Sequence, residues 1–240
     1  IRVEEDAMYK LPAEYYDIVY SFKDYEREAH QIRNLIGDRC PGAQSLLDVA
    51  CGTGSHDLHL CRYFEVDGID FNPEFLARAR DRNPRGHYQH ADMRNFRLDR
   101  LYDAIVCLFS SIGYLQTLDE VERCLDCFRE HLAPGGIVLI EPWFTPESWK
   151  PGAVHVLNAE RGGVKICRMG FSDALERISI NPCHYLIGTE NGVEHVEEVH
   201  EMGLFTVEEM KIAFRRTGLD VEYDPEGLIG RGLYIASRSG

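Results

Sequence analysis

The 240-residue chain carries 26 Lys and Arg against 40 Asp and Glu, a formal charge of −14, and 44% of its residues are hydrophobic. That composition is enough for one substantial core with an appended layer, and the acid excess argues against a sequence-independent nucleic-acid binder, which needs a basic face. No run of eighteen apolar residues is present to span a membrane, and nothing near the start has the basic-then-apolar order of a signal peptide.

Residues 1–7 precede Met8 and are expected to be a leader outside the fold. Tyr9, Tyr15, Tyr16, Tyr20 and Tyr25 crowd the next segment, and Asp24 to Ile36 repeats apolar positions at 25, 29, 32, 35 and 36, one face of an amphipathic helix. From Ser45 to Pro142 the pattern alternates, with strands over 45–50, 65–70, 87–92, 102–109 and 136–142 and helices over 55–64, 73–82 and 117–132. Asn72-Pro73 supplies an N-cap followed by proline at the first helical position. Ala133-Pro134-Gly135-Gly136 reads as the stop of the third of these helices. Such alternation predicts an α/β fold, a mainly parallel sheet with helices on both faces.

Beyond Trp149 the rhythm changes. Short strands over 153–158, 164–171, 175–180, 183–188 and 194–202, with turns at Arg161-Gly162-Gly163 and Glu190-Asn191-Gly192, predict an inserted antiparallel platform. A helix over 204–217, boxed by Thr206 and Glu209 and stopped by Gly218, then leads into strands near 220–224 and 232–237 that complete the main sheet. The expected division is 8–150 for a helical cap and the α/β core, 151–202 for the platform, and 203–240 for the return to the core.

The chemistry starts at Leu46-Leu47-Asp48-Val49-Ala50-Cys51-Gly52-Thr53-Gly54-Ser55, a buried-strand pattern ending in a turn around two glycines. Without Cβ atoms at Gly52 and Gly54, the turn is expected to present open backbone and free N–H groups to a nucleotide-like ligand at the carboxyl end of the sheet. Asp70 ends the second strand, where a carboxylate accepts both hydroxyls of a ribose. Asp92 and Met93 end the third, placed to take an exocyclic adenine amine and to cover the ring. A dinucleotide fingerprint wants glycine where Asp57 stands, and a carboxylate facing pyrophosphate there would repel it. No Gly-Lys-Ser/Thr phosphate loop occurs. A nucleoside without phosphates fits, and S-adenosylmethionine is the natural candidate because its sulfonium is cationic.

The eight cysteines fall mostly in apolar patterns and read as buried free thiols of a cytoplasmic protein. Cys124-x-x-Cys127 and His56-x-x-His59 lack the further ligands a metal site needs, so no metal is expected. Trp143 and Trp149 flank the turn after the fifth strand, where either ring can stack on a pyrimidine. Arg231 stands between two glycines, which let the backbone bring a forked guanidinium close to a phosphate. Tyr114, after the fourth strand, is expected to orient the methyl acceptor, whereas His184 and His200 read as ordinary strand residues.

Asp48-Val49-Ala50-Cys51-Gly52-Thr53-Gly54, Asp92-Met93-Arg94, Phe109-Ser110-Ser111-Ile112-Gly113-Tyr114-Leu115, Glu141-Pro142-Trp143 and Gly230-Arg231-Gly232-Leu233 occur in one order. From Tyr16 to the C-terminus this set resembles the S-adenosylmethionine-dependent N,N-dimethyltransferases that act on nucleotide-linked amino sugars of macrolide pathways. The first motif alone implies only a class I methyltransferase with a Rossmann-like seven-stranded sheet; the later ones narrow it. The resemblance implies cofactor contacts at Tyr16, Tyr25, Ala50, Asp70, Asp92 and Met93, and Gly52, Gly54, Phe71 and Leu108 complete the expected set. It also implies a thymidine-diphosphate (TDP) sugar near Trp143, Trp149, Arg168 and Arg231. The chain departs from that family between Tyr20 and Lys23, where it is shorter and lacks glycines, and at Asn181-Pro182-Cys183. Both regions are expected to meet substrate, so reaction class transfers better than substrate identity.

The expected reaction is N-methylation by in-line displacement, in which orientation supplies most of the acceleration. A small amine, amino acid or hydroxyl metabolite is the alternative acceptor, and a non-catalytic sensor of the cofactor is a further reading. A homodimer is compatible with all of these.

Overall fold

The computed structural model describes residues 10–238. The expected leader, Tyr9 and the last two residues of the expected third segment lie outside the described residues.

The chain runs α1 (Ala13–Val19), α2 (Tyr25–Arg39), β1 (Ser45–Val49), α3 (Asp57–Leu60), β2 (Glu65–Asp70), α4 (Pro73–Arg82), β3 (Tyr88–His90), β4 (Tyr102–Cys107), α5 (Leu118–His131) and β5 (Leu132–Ile140). Strands β6 (Val154–Arg161), β7 (Val164–Phe171), β8 (Asp173–Leu175), β9 (Ile178–Thr189) and β10 (Gly192–Gly203) follow, then α6 (Val207–Arg216), β11 (Leu219–Asp224) and β12 (Leu233–Arg238). One sheet has seven strands in the order β11-β12-β5-β4-β1-β2-β3, and a second has β10-β9-β7-β6 with β8 paired to β9. In the first, β12 runs antiparallel to both neighbours and the other pairs are parallel.

The side-chain period of a strand explains the two-faced core. Leu47, Val49, Ile105, Cys107, Val138 and Ile140 pack on one face with Val121, Leu125 and Phe128 of α5 and Met210 and Phe214 of α6. Leu46, Ala104, Val106, Ile137 and Leu139 pack on the other with Ala29, Ile32 and Ile36 of α2 and Leu60 of α3. Strand order reverses at β1, whose neighbours are β2 and β4, so the crevice for a ligand opens above the carboxyl ends of these strands.

The second sheet has its own apolar face. Ile166, Cys183, Tyr185 and Ile187 close on Ile18 and Val19 of α1, which seats that short helix against the platform.

Several expected boundaries move. The helix expected over 55–64 is only the four-residue α3, since Cys61 to Tyr63 form turns. Ala133 to Gly136 does not separate α5 from its strand: β5 begins at Leu132 and carries the tract as an irregularity between its pairings with Tyr102 and Ala104. The strand expected over 175–180 is split by a turn at 176–177 between the end of β8 and the start of β9, and β9 then runs unbroken through the strand expected over 183–188. Pro182 sits where the ladder to β7 has ended at Cys183 and the ladder to β8 has not yet begun at Ile180, so its missing N–H breaks no bond on that edge.

Candidate active site

Three strand ends build the floor. Ala50, just past β1, holds φ at +61°, and Phe109 and Ser110, past β4, hold +52° and +63°. Non-glycine residues in this region are strained, and such strain persists where surrounding contacts over-determine it. Gly52, at φ +57°, faces open space, as expected of a position over which a ligand lies. Gly54 is different: a Cβ there would come within 3.0 Å of Ala79 on α4, so this glycine serves helix packing.

The turn's N–H groups are not free, contrary to expectation. Gly52 N–H donates to Asp70 Oδ2 at 2.7 Å, and Gly54 N–H donates to the Cys51 carbonyl at 3.0 Å. The second oxygen of Asp70 accepts from Asn72 N–H at 2.8 Å. Asp70 is thereby locked toward the glycine turn. Burial raises its pKa, opposed by these same N–H donors. Each carboxylate oxygen keeps a second lone pair, which suits a vicinal diol.

Asp57 also departs from expectation. It is fully buried, accepts from the Tyr88 hydroxyl at 2.9 Å, and sits beside Asp48. Sunk behind the turn, it repels no ligand. What disfavours a phosphate here is that the Gly52 and Gly54 donors are spent internally.

Asp92 and Met93 lie one and two residues past Ala91, whose N–H donates to the Asp70 carbonyl, so β2 and β3 bring the two acids to one edge. Arg94 forks onto Asp92, with Nε 3.0 and 2.9 Å from its two oxygens. Burial would raise the Asp92 carboxyl, but the Arg94 bonds outweigh it and hold it below the usual range. An adenine amine therefore has to share this acceptor. Phe71 is half exposed beside His90, and Leu108 is buried at the end of β4.

The helical cap closes over the turn by a network that sequence reasoning missed. Arg82 Nη2 meets Asp17 of α1 at 2.6 Å, and its Nη1 reaches Thr53 Oγ1 at 2.6 Å, which itself donates to Asp17 at 2.7 Å. Tyr16 packs on Phe75 with centroids 4.8 Å apart. Tyr25 lies edge-on to His56. Lys23, in the shortened tract, is buried in an ion pair with Glu28 and covers the Phe109 ring at 4.7 Å.

Beside this floor a cavity of about 450 Å³ is walled by Tyr16 of α1, Tyr20 at its C-cap, Tyr114, Arg168 of β7 and His200 of β10. Trp143 and Arg231 form the partition between it and a second cavity of about 320 Å³ that reaches Phe144, Phe205 and Tyr223. Gly230 and Gly232, at φ +81° and +88°, shape the loop that delivers Arg231. Its guanidinium lies 4.9 Å from the Phe144 ring centroid and 3.3 Å from Ser110 Oγ, and Arg168 donates to the Tyr20 hydroxyl at 3.0 Å. Among the described residues, neither arginine forms an ion pair with a carboxylate. Trp149 lines neither cavity; it packs behind Trp143 and Phe144 and donates to the Asp173 carbonyl.

Reading His200 as an ordinary strand residue does not hold. Its Nδ1 lies 3.0 Å from the Tyr114 hydroxyl, a pairing across 86 positions that no local pattern reveals. His184, by contrast, stacks on His195 at the exposed face.

A family model described as a methyltransferase domain matches residues 46–136. The dTDP-3-amino-3,6-dideoxy-alpha-D-glucopyranose N,N-dimethyltransferase of Streptomyces fradiae is 43% identical over 226 residues, covering 92% of this chain and 89% of that one. Among solved structures, DesVI of Streptomyces venezuelae superposes with a TM-score of 0.89 at 37% identity over 100% of both chains. CalS10 of Micromonospora echinaspora, an amino pentose methyltransferase with S-adenosylmethionine bound, gives 0.86 at 33% identity over 94% of this chain and 97% of that one. The fold is thus the Rossmann-like one of class I methyltransferases, and the open glycine and the diol-ready Asp70 fit the nucleoside of S-adenosylmethionine. The chain belongs to the family of S-adenosylmethionine-dependent methyltransferases that includes the dTDP-amino-sugar N,N-dimethyltransferases.

Proposed function

We propose that this protein methylates the amino nitrogen of a nucleotide-linked amino sugar, with TDP as the nucleotide. The observation that carries this reading is the pair Arg168 and Arg231, two part-buried guanidiniums without carboxylate partners on the walls of one cavity. Glu141 attracts Arg231 from beyond ion-pair range; a part-buried guanidinium with no direct ion pair is still costly, and a diphosphate supplies two anionic groups suited to forked donors. The named activities of the relatives point the same way.

When bound, the cofactor supplies an electrophilic methyl on a sulfonium. The chain's own part is placement. Asp70 would take the ribose hydroxyls, Asp92 and Met93 the adenine, and Gly52 with Ala50 would carry the nucleoside close to the backbone. Trp143 and Arg231 would hold the nucleotide end of the acceptor, and Tyr114 would align its nitrogen. Holding two reactants in line is worth about 7–11 kcal/mol in favourable cases. Binding energy from the remote nucleotide contributes to that alignment.

Calorimetric titration with thymidine diphosphate tests the reading. The wild type binds it, and Arg231→Ala weakens binding about 10- to 100-fold, the worth of one or two charge-assisted hydrogen bonds, with S-adenosylmethionine affinity unchanged. A wild type that ignores thymidine diphosphate yet transfers methyl groups to another small amine or hydroxyl would replace the sugar nucleotide with that acceptor.

A further inference from the structure

The acceptor cavity contains a hydrogen-bonded row of titratable groups that placement alone does not use. The Tyr114 hydroxyl meets His200 Nδ1 at 3.0 Å. The other ring nitrogen of His200 lies 3.4 Å from Glu198 Oε2, two residues back on the same face of β10. Glu198 is fixed in turn, its Oε1 accepting from Leu11 N–H at 2.6 Å. All three side chains line the cavity.

The chemistry of amine methylation leaves a proton to dispose of. A sugar amine is an ammonium in neutral water and has no lone pair until it loses a proton. Transfer forms the nitrogen–carbon bond as the sulfur–carbon bond breaks, with that electron pair retained by sulfur, so the departing thioether carries no proton away. The methylated nitrogen is again an ammonium, and a second transfer to it requires a second deprotonation.

We propose that Tyr114, His200 and Glu198 form a proton outlet from the acceptor nitrogen. The phenol oxygen of Tyr114 receives the amine proton while its own O–H proton passes to His200 Nδ1, and the resulting imidazolium is held by the Glu198 carboxylate. One proton leaves the amine and one arrives on the imidazole, so the step balances. His200 acts through Tyr114 and is a positioning and proton-accepting group, not one that touches substrate. The proposal rests on the N-methylation reading above.

The surroundings suit this division of labour. Burial would raise the Glu198 carboxyl, but bonds from His200 and from Leu11 N–H outweigh it and keep it below the usual carboxylate range. Among the described residues, the cavity's other titratable groups are Tyr16 of α1 and Tyr20 at its C-cap, Lys23, Asp24, Arg27 and Glu28 at the start of α2, Arg168 from β7, Cys183 and Tyr185 from β9, and Arg231. Burial pushes each of these phenols and the thiol upward, so they stay neutral where a histidine changes charge. Arg27, Arg168 and Arg231 are the guanidinium cations of this cavity, and Lys23 is spent in its ion pair with Glu28.

The test is the pH profile of kcat in two variants. His200→Asn retains an acceptor near the Nδ1 position but takes up no proton; Tyr114→Phe preserves packing and cuts the path. Both are expected to lose about 10²-fold in kcat at pH 7 and to regain most of it near pH ~9, where the free amine deprotonates unaided. Monomethylated acceptor accumulates in both at neutral pH, and S-adenosylmethionine affinity by calorimetry stays that of the wild type. The double variant is no slower than the slower single one. Profiles of both variants that parallel the wild type overturn the outlet while leaving amine methylation intact. A wild type that methylates no amine at any pH overturns the parent reading as well, before a variant is made. Should His200→Asn fail to fold, Tyr114→Phe carries the test alone.

Discussion

At the residue scale, Asp57 shows how far a side chain's role depends on a partner the local sequence does not display. Its position after the glycine turn suggested a carboxylate facing ligand, yet Tyr88, 31 positions on, draws it inward. Burial raises its pKa to about 6, opposed by hydrogen bonds from Asp48 and Tyr88. The folded pKa therefore lies above the unfolded value of about 3.9, so the native state binds more protons between the two. This group's contribution to stability falls as pH rises from about 4 to about 6 and is constant above that. Asp57→Asn, which preserves the Tyr88 bond, is expected to melt about 2–4 °C higher than the wild type at pH 7.5, a gain of roughly 1 kcal/mol, with the gap closing at pH 4. Scanning calorimetry at both values decides it; a gap that ignores pH contradicts the assignment. Asp70 was legible by contrast, because a strand end eighteen residues after Gly52 is a position the parallel fold itself defines.

At the element scale, strongly periodic segments were legible and the short ones were not. Helix α6 declared itself through Thr206 with Glu209 three residues on, and the structure forms that capping box. Helix α1 has only seven residues and no side-chain cap, so a crowd of tyrosines was all the sequence displayed. What holds α1 in place is tertiary. Asp17, almost wholly buried, is paired to Arg82 at the end of α4. Arg82→Ala is expected to cost roughly 3 kcal/mol, because breaking a buried pair strands its charge; Arg78, 3.9 Å from Asp17, softens the loss. Faster amide exchange confined to α1 and the glycine turn is the accompanying sign. Uniform exchange through the sheet would mean that the pair supports the whole molecule and not the cap.

At the scale of the whole molecule, the strand–helix alternation and the change of rhythm after Trp149 made both sheets legible in outline. Tyr16, Tyr114, Trp143, Arg168 and Arg231 were named one by one from the sequence, but not that they share one cavity with Tyr20, Tyr185 and His200, because its walls join α1, β7, β9, β10 and the loop before β12. Tyr20, Arg168 and His200 share one space only because α1 seats on the platform. A ligand bridging cap, sheet and platform should stabilise the native state as a unit. S-adenosylmethionine at a hundred times its Kd is expected to contribute about 2.7 kcal/mol, a rise of roughly 5–11 °C in Tm, while NAD leaves the melt unmoved. Equal shifts from both compounds would contradict the nucleoside assignment.

Trp143 and Arg231 belong to both cavities at once. A guest that displaces either side chain of this party wall from its bond to Ser179 or Ser110 changes the room left next door. Nucleotide-end fragments and sugar-end fragments offered together should therefore bind with affinities that do not simply multiply. The mismatch is a coupling free energy that reads the same from either side.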